Sequence, residues 1–496
     1  MNYFIGIDVG TSATKSVLFD ENGNPVFSSE KGYGIIQPHN GWAQQRPDDW
    51  KNAVFDTLKN TAKAVPVENI RGIGVTGQMH GLVVLDSSNN ILYDSIIWCD
   101  QRTEKEVGEI IETVGKDSYI NLTLNAPNTS FTLSKLLWLK NDEPDVFSKI
   151  RKILLPKDYI NFCLTGRYST DVSDASGTGF FDVAGRGWSR DILKSFNIPL
   201  DWLPKVYESA DVIAVITKEI SEITGLSQNT VVVAGAGDQA AAALGNGVIT
   251  SGSTSISLGT SGVVFTSLDE PVYDRFGRTH TFCHAVKDKW HIMGVTQGCG
   301  LSVSWFKKNF ADEYSYKQLE ENAEKTTSDG LIYLPYLIGE RTPYMDPNCR
   351  ASFTGVSANH SVYNLYRAVL EGVCFSLKDC CDIISKSNVS INDVKVSGGG
   401  AKSSLWLHLL ADILGYNLNT SEFVESGALG AAVLASVGSG FYKCLPDAAE
   451  KMLQKESKCI VPNLDNKKHY DETHKLYKRL YYALKSTYGE KLNTEI

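Results

Sequence analysis

Residues 3–19 read YFIGIDVGTSATKSVLF, and residues 256–266 read ISLGTSGVVFT. In each stretch an apolar run meets a short polar turn containing G-T-S, and a second apolar run follows. Tyr3–Ile7 is predicted as a strand, Asp8–Ser12 as the turn and Thr14–Phe19 as the returning strand. Ile256–Leu258, Gly259–Gly262 and Val263–Thr266 repeat that order. Glu21-Asn22-Gly23-Asn24 adds a further turn, because Asn-Gly tolerates positive φ. The repeat predicts two related domains. Each would present a loop of amides and hydroxyls sized for a phosphate.

Outward from these hairpins, strand-like and helix-like pieces alternate, which predicts an α/β fold. Ile73–Val75, Thr230–Ala234 and Val394–Val396 are short β runs. Asn364–Ile384 is a helix, with Leu365, Tyr366, Val369, Leu370, Val373 and Leu377 at three- and four-residue steps. A second helix carries Trp406, Leu409, Leu410, Ile413 and Leu414 on one face. The last thirty residues predict an amphipathic helix with Leu476, Leu480 and Leu484 as its apolar side and a solvated Lys/Arg side. The Gly- and Ser-rich stretch Gly245–Gly252 marks the domain boundary, giving units 1–246 and 247–496.

Composition narrows the function. The chain has 496 residues, 48 Lys plus Arg against 57 Asp plus Glu, and a net charge of −9. With 42% hydrophobic and 21% charged residues it suits a globular protein, not a disordered chain or membrane bundle. The acidic balance argues against nucleic acid as a partner. Ten cysteines without a C-x-x-C pair imply neither a zinc site nor a disulfide framework, and point to reduced thiols in the cytoplasm. The opening MNYFIGIDVG lacks a basic n-region, so no signal peptide is expected. The longest uncharged stretch, Gln239–Leu268, is too rich in Gly, Ser, Thr and Asn for a membrane span.

Several loops carry candidate chemistry. Asp8 at a strand end beside Gly10-Thr11-Ser12 would repel phosphate unless a cation intervened, which points to Mg²⁺. Gly259-Thr260-Ser261-Gly262 offers the same donors. Gly398-Gly399-Gly400 before a helix permits close approach of a ligand to backbone. Val231–Ala240 matches G-x-G-x-x-A after a strand, the dinucleotide fingerprint. No Asp or Glu occurs between Asp238 and Asp269 to hold a ribose, which argues against an NAD-dependent oxidoreductase. Asp238 is instead a candidate general base, with Gln239 beside it for a polyhydroxy substrate. Gln78-Met79-His80-Gly81 and Trp98-Cys99-Asp100-Gln101-Arg102 combine polar groups with apolar walls, as a sugar site requires. The motif G-x-x-x-x-G-K-[ST] and the protein-kinase elements H-R-D and D-F-G are absent.

These residues resemble the FGGY carbohydrate kinases of the sugar kinase/actin/Hsp70 superfamily, and within them the branch acting on D-xylulose. The resemblance rests on Gly6–Ser12, Gly77–Gly81, Leu155–Tyr159, Ser173–Thr178 and Gly339–Pro343. Ala351–Glu371 matches the family's C-terminal signature, and Ser130–Asp142 its N-terminal one except at Asp142. The resemblance implies two actin-like (ribonuclease H-like) domains with a nucleotide cleft between them, ATP and Mg²⁺ as cofactors, and phosphorylation of D-xylulose at its terminal hydroxyl. It implies Asp238 as general base and Asp8 as the group acting through Mg-ATP. Met79, His80, Gln239, Trp98 and Asp100 would line the sugar. Thr11, Ser12, Lys15 and Thr260 would meet phosphates, and Gly300, Gly399, Gly400 and Ser404 the adenosine. Asp-Asn at the base position in some xylulose-acting members reads Asp238-Gln239 here, which weakens a xylulose-only assignment. Kinases for ribulose, sedoheptulose or glycerol, and a non-catalytic actin-like ATPase, are the alternatives. A homodimer is compatible with the resemblance; a membrane partner is not expected.

Overall fold

The computed structural model describes residues 1–420, 425–453 and 458–488. One sheet contains β1 (Tyr3–Val9), β2 (Ala13–Asp20), β3 (Pro25–Gly32), β4 (Ile70–Gly77), β5 (Val212–Val215) and β6 (Val231–Val233). Its order is β5-β6-β4-β1-β2-β3. The other contains β7 (Ser253–Leu258), β8 (Gly262–Leu268), β9 (His280–Cys283), β10 (Trp290–Thr296), β11 (Asn392–Ser397), β12 (Leu418–Thr420) and β13 (Lys458–Ile460). Its order is β9-β10-β8-β7-β11-β12-β13. The five-strand cores β6-β4-β1-β2-β3 and β12-β11-β7-β8-β10 correspond strand for strand. In both, two antiparallel pairings are followed by two parallel ones. The sequence echo is therefore a duplicated topology, and the two G-T-S loops occupy equivalent hairpin tips. Asp8 ends in the strand and not in the turn, paired with Lys15 on one side and Thr76 on the other.

The helices that matter here are α1 (Pro47–Thr61), α2 (Asp238–Gly245), α3 (Gly300–Phe310), α4 (Val362–Lys386), α5 (Ser404–Leu414), α6 (Ser426–Gly438) and α7 (Lys467–Leu484). The period-two alternation of β1 decides what each covers. Ile5, Ile7 and Val9 pack with Trp50, Val54 and Leu58 of α1. Phe4, Gly6 and Asp8 face the other way, toward α6. There the helix backbone touches the sheet. A Cβ on Gly6 would lie 1.8 Å from the Ala428 carbonyl oxygen, and one on Gly74 2.0 Å from that of Ala431. α2 packs on α6 in the same manner, with Gly245 and Gly430 at the crossing. So a helix from the C-terminal half covers the N-terminal sheet.

α4 carries the apolar stripe expected of it. Tyr366, Val369, Leu370, Val373 and Leu377 are all buried in the core of the second sheet, and Leu365 is partly buried against it. Each fully buried aliphatic side chain contributes about 1.5–3 kcal/mol. α7 meets expectation in part: Leu480 and Leu484 are partly buried against the core. Leu476 is 44% exposed, while Tyr470, His474, Tyr477 and Tyr481 are buried. The surface under α7 carries both a donor and an acceptor. Tyr477 shares a hydrogen bond with the Tyr336 hydroxyl (2.7 Å) and Tyr481 donates to Asp346 (2.8 Å). Phenols satisfy such a surface and leucines do not. Among the described residues no helix is long and apolar enough to cross a membrane.

Gly74→Ala must push α6 off β4, and its cost is about 2 kcal/mol or more. Gly399→Ala, where an added Cβ meets nothing within 4 Å, leaves stability near wild type. Denaturant unfolding of the two variants checks this contrast.

Candidate active site

Asp8 and Asp238 sit at the carboxyl ends of parallel strands on either side of β4, where open α/β sheets place ligands. Ala236–Gly237 extends the sheet as a short parallel strand against Thr76–Gly77 of β4, and α2 begins at Asp238. Asp238 Oδ1 accepts a hydrogen bond from the Gln239 amide (2.7 Å). Both carboxylates are partly accessible from the cleft but ringed by protein. Loss of solvation, then repulsion from Asp238 and Glu425, raises the Asp8 pKa to about 7 against the opposing pull of Lys15. Desolvation raises Asp238 to about 6, opposed by the Gln239 amide. Lys15 is itself bonded to Glu425 (2.5 Å). Asp8 thus feels two other carboxylates and one ammonium. Its carboxylate oxygens suit a hard divalent cation such as Mg²⁺.

A cavity of about 210 Å³ opens beside Asp238. Met79, His80, Trp98, Gln239, Ser261 and Arg341 line it with Asp238. His80 has φ +70° and its Nδ1 lies 2.8 Å from the Gly177 carbonyl. Burial, with the nearby Lys135 charge second, lowers its pKa to about 3, so the ring is neutral. The carbonyl can only accept, so Nδ1 carries the proton and Nε2 is left as an acceptor. Fully buried Lys135 donates to the His80 and Ser130 carbonyls (2.8 and 2.7 Å), holding that loop from behind. Trp98 Nε1 donates to Thr11 Oγ1 (3.0 Å), linking the cavity wall to the first G-T-S loop.

A larger cavity, about 600 Å³, lies between the second G-T-S loop and α5. Thr260, Gly300, Gly399 and Gly400 line it, with Tyr316 and Trp406. The Gly259 and Thr260 carbonyls accept from the first amides of α3, Gly300 (2.8 Å) and Leu301 (3.0 Å). Thr260 lines this cavity and its neighbour Ser261 the smaller one, so the two cavities meet at one loop.

Comparison with known proteins agrees with this geometry. Residues 3–245 match the N-terminal domain, and residues 254–439 the C-terminal domain, of the FGGY family of carbohydrate kinases. The chain belongs to that family. This kinase is 38% identical to the xylulose kinase of Bacillus subtilis, over 100% of this chain and 99% of that protein. Its structure resembles a ligand-bound xylulose kinase from Lactobacillus acidophilus (TM-score 0.94, 31% identity, 99% of this chain and 100% of that one). A gluconate kinase from the same organism matches equally well (TM-score 0.94, 31% identity, 99% of each chain).

Within the kinase, the structure brings together Met79, His80, Trp98, Asp238 and Gln239 around one cavity, and Thr260, Gly300, Gly399 and Gly400 around the other. Ser12 is exposed at the tip of the first loop and Thr11 lies beside it. Two residues sit elsewhere. Asp100 is fully buried, held by Arg102 Nη2 (2.7 Å) and the Ala43 amide (2.5 Å), and does not reach the cavity. Ser404 is exposed beside His408; the residue lining the cavity is Ser403, which caps α5 by accepting from the Trp406 amide (3.1 Å). The G-x-G-x-x-A stretch cannot receive a pyrophosphate. A Cβ on Gly235 would lie 1.9 Å from the Val75 carbonyl oxygen, so strand β4 already fills that approach. Sequence reading missed Glu425 and a role for Arg341. Arg341 lies in a recognised motif, Gly339–Pro343, but nothing in its spacing places it opposite Asp238. Glu425 meets Lys15 across 410 residues.

Asp100→Ala strands the Arg102 guanidinium, which is only 1% exposed, at a cost of about 3–5 kcal/mol. A large fall in thermal stability with an unchanged sugar KM in the folded fraction is the expected result. A raised KM at unchanged stability would return Asp100 to the sugar site.

Proposed function

We propose that this kinase transfers the γ-phosphoryl group of ATP to the terminal hydroxyl of D-xylulose, giving D-xylulose 5-phosphate. The observation carrying this reading is the meeting of the two cavities at Thr260-Ser261, directly beside Asp238. Xylulose is favoured by the names of the full-length relatives at 33–38% identity. The sugar would occupy the smaller cavity, against Met79 and Trp98, with His80 Nε2 accepting from a hydroxyl. Asp238, mostly ionised at neutral pH, accepts the proton of the attacking hydroxyl. Thr11, Ser12, Lys15 and Thr260 hold phosphate oxygens. Gly300, Gly399 and Gly400 admit the adenosine, with Ser403 in place of Ser404. Asp8 is the group suited to hold Mg²⁺. When bound, the cation would supply charge neutralisation for the phosphates. The cavity walls align hydroxyl and phosphate and exclude water.

We place the division between the halves at 246/247, after α2. We also infer a cytoplasmic enzyme, in keeping with ten free cysteines. Its ligands are a sugar and ATP, with no nucleic-acid or membrane partner, and a homodimer is compatible with this reading.

Asp238→Ala should lower kcat by roughly 10²–10⁴-fold with ATP binding retained. More than about a tenth of wild-type kcat remaining would remove Asp238 from the base role. Because the base must be ionised, kcat should fall as pH drops below about 6, where Asp238 takes up its proton. A coupled ADP-release assay over D-xylulose, L-ribulose, sedoheptulose, glycerol and gluconate tests the substrate. D-xylulose should have the highest kcat/KM; any other winner replaces it.

A further inference from the structure

We propose that Ser173, Asp171 and Lys157 form a buried clamp that holds the loop 234–237 and thereby fixes where the Asp238 carboxylate stands. They are positioning residues, and this role rests on Asp238 being the base. The Gly237 amide, one residue before Asp238, donates to Ser173 Oγ (3.1 Å). Ser173 Oγ donates in turn to Asp171 Oδ2 (2.5 Å), which also accepts from Ser209 Oγ (2.8 Å). Lys157 Nζ lies 3.2 Å from Asp171 Oδ1 and donates to the Ala234 carbonyl (3.2 Å), at the other end of the loop. Asn161 Nδ2 donates to that same carbonyl (2.9 Å). The loop is therefore gripped at both ends by one connected network.

The network is an unusual choice if stability were its only purpose. Lys157, Asp158, Asp171 and Asp174 are all essentially inaccessible to solvent. Removing four ionisable groups from water costs more than well-packed apolar side chains of similar volume would. What such a network supplies is fixed geometry, because each polar atom has few acceptable positions. The same turn also reaches the sugar wall. Gly177 accepts from the His80 ring and Ser176 Oγ accepts from the Cys283 amide of β9 (3.0 Å). One turn, Ser173–Gly177, thus sets the spacing between the base and His80. A misplacement of about 1 Å in such a site can cost about 100-fold in rate.

Ser173→Ala tests the clamp in the full-length enzyme. It should lower kcat for D-xylulose by about tenfold or more, with KM for MgATP within about twofold and cooperative thermal unfolding retained. Ser173→Thr keeps the hydroxyl and should recover most of the lost kcat. Should Ser173→Ala fail to fold, Ser209→Ala removes the second donor to Asp171 Oδ2 while keeping the Ser209 carbonyl that accepts from the Gly235 amide (3.0 Å), and the same fall in kcat is expected. Near-wild-type kcat, a loss confined to KM, or no recovery with threonine overturns the clamp. Asp238→Asn is measured alongside. If it is active, the base reading fails and the clamp with it. If it is inactive while Ser173→Ala is unimpaired, only the clamp fails.

Discussion

Everything in the cleft depends on a backbone-to-backbone contact. α6 lies directly on β1 and β4 because Gly6 and Gly74 have no side chains to hold it away. Dispersion between closely packed backbones is weak per atom pair and substantial in sum. The contact also determines where charge accumulates. It brings Glu425 and Gly427, at the start of α6, down beside Asp8. The strand alternation that points Gly6 at the helix points Asp8 there as well. The glycine that admits the helix and the carboxylate that meets it are therefore two steps of one pleat.

Crowding carboxylates together has a thermodynamic consequence. The folded state binds protons at Asp8 and Asp238 more tightly than the unfolded chain does, because both folded pKa values exceed 3.8. By linkage, their contribution to stability is lost as pH rises from about 4 toward 7. The ligand-free site is thus electrostatically unsatisfied at neutral pH. A divalent cation held at Asp8 would offset that repulsion.

The features legible in the sequence were those with local causes. A turn needing small residues leaves G-T-S at 10–12 and again at 259–261. The strand alternation and the stripe from Tyr366 to Leu377 follow from periodicity. Met79, His80, Asp238 and Gln239 were found from their local motifs and came together as expected. Features with non-local causes were not legible. Asp100 looked like a cleft residue because it neighbours Trp98, yet Arg102, two residues on, turns its carboxylate inward. The face of α7 was only partly legible: Leu480 and Leu484 pack against the core, but Leu476 is exposed and tyrosines fill the buried stripe. Only the polar partners beneath the helix, the Tyr336 hydroxyl and the Asp346 carboxylate, reveal why the phenols go inside. Glu425 and Arg341 owe their positions to the way the two halves meet, which no window of a few residues contains.

The covering of β1 by α6 also bears on how the polypeptide reaches its native state. A ribosome that has just completed β6 and α2 has made every strand of the first sheet, but one face of that sheet still lacks its cover. Nearly two hundred further residues must emerge before Gly438, the end of α6, is available. At bacterial or eukaryotic elongation rates this takes about 10–40 s. During that interval Phe4, Val17 and Phe19 are open to solvent on the uncovered face. The nascent first half therefore keeps apolar surface exposed until the second half is complete.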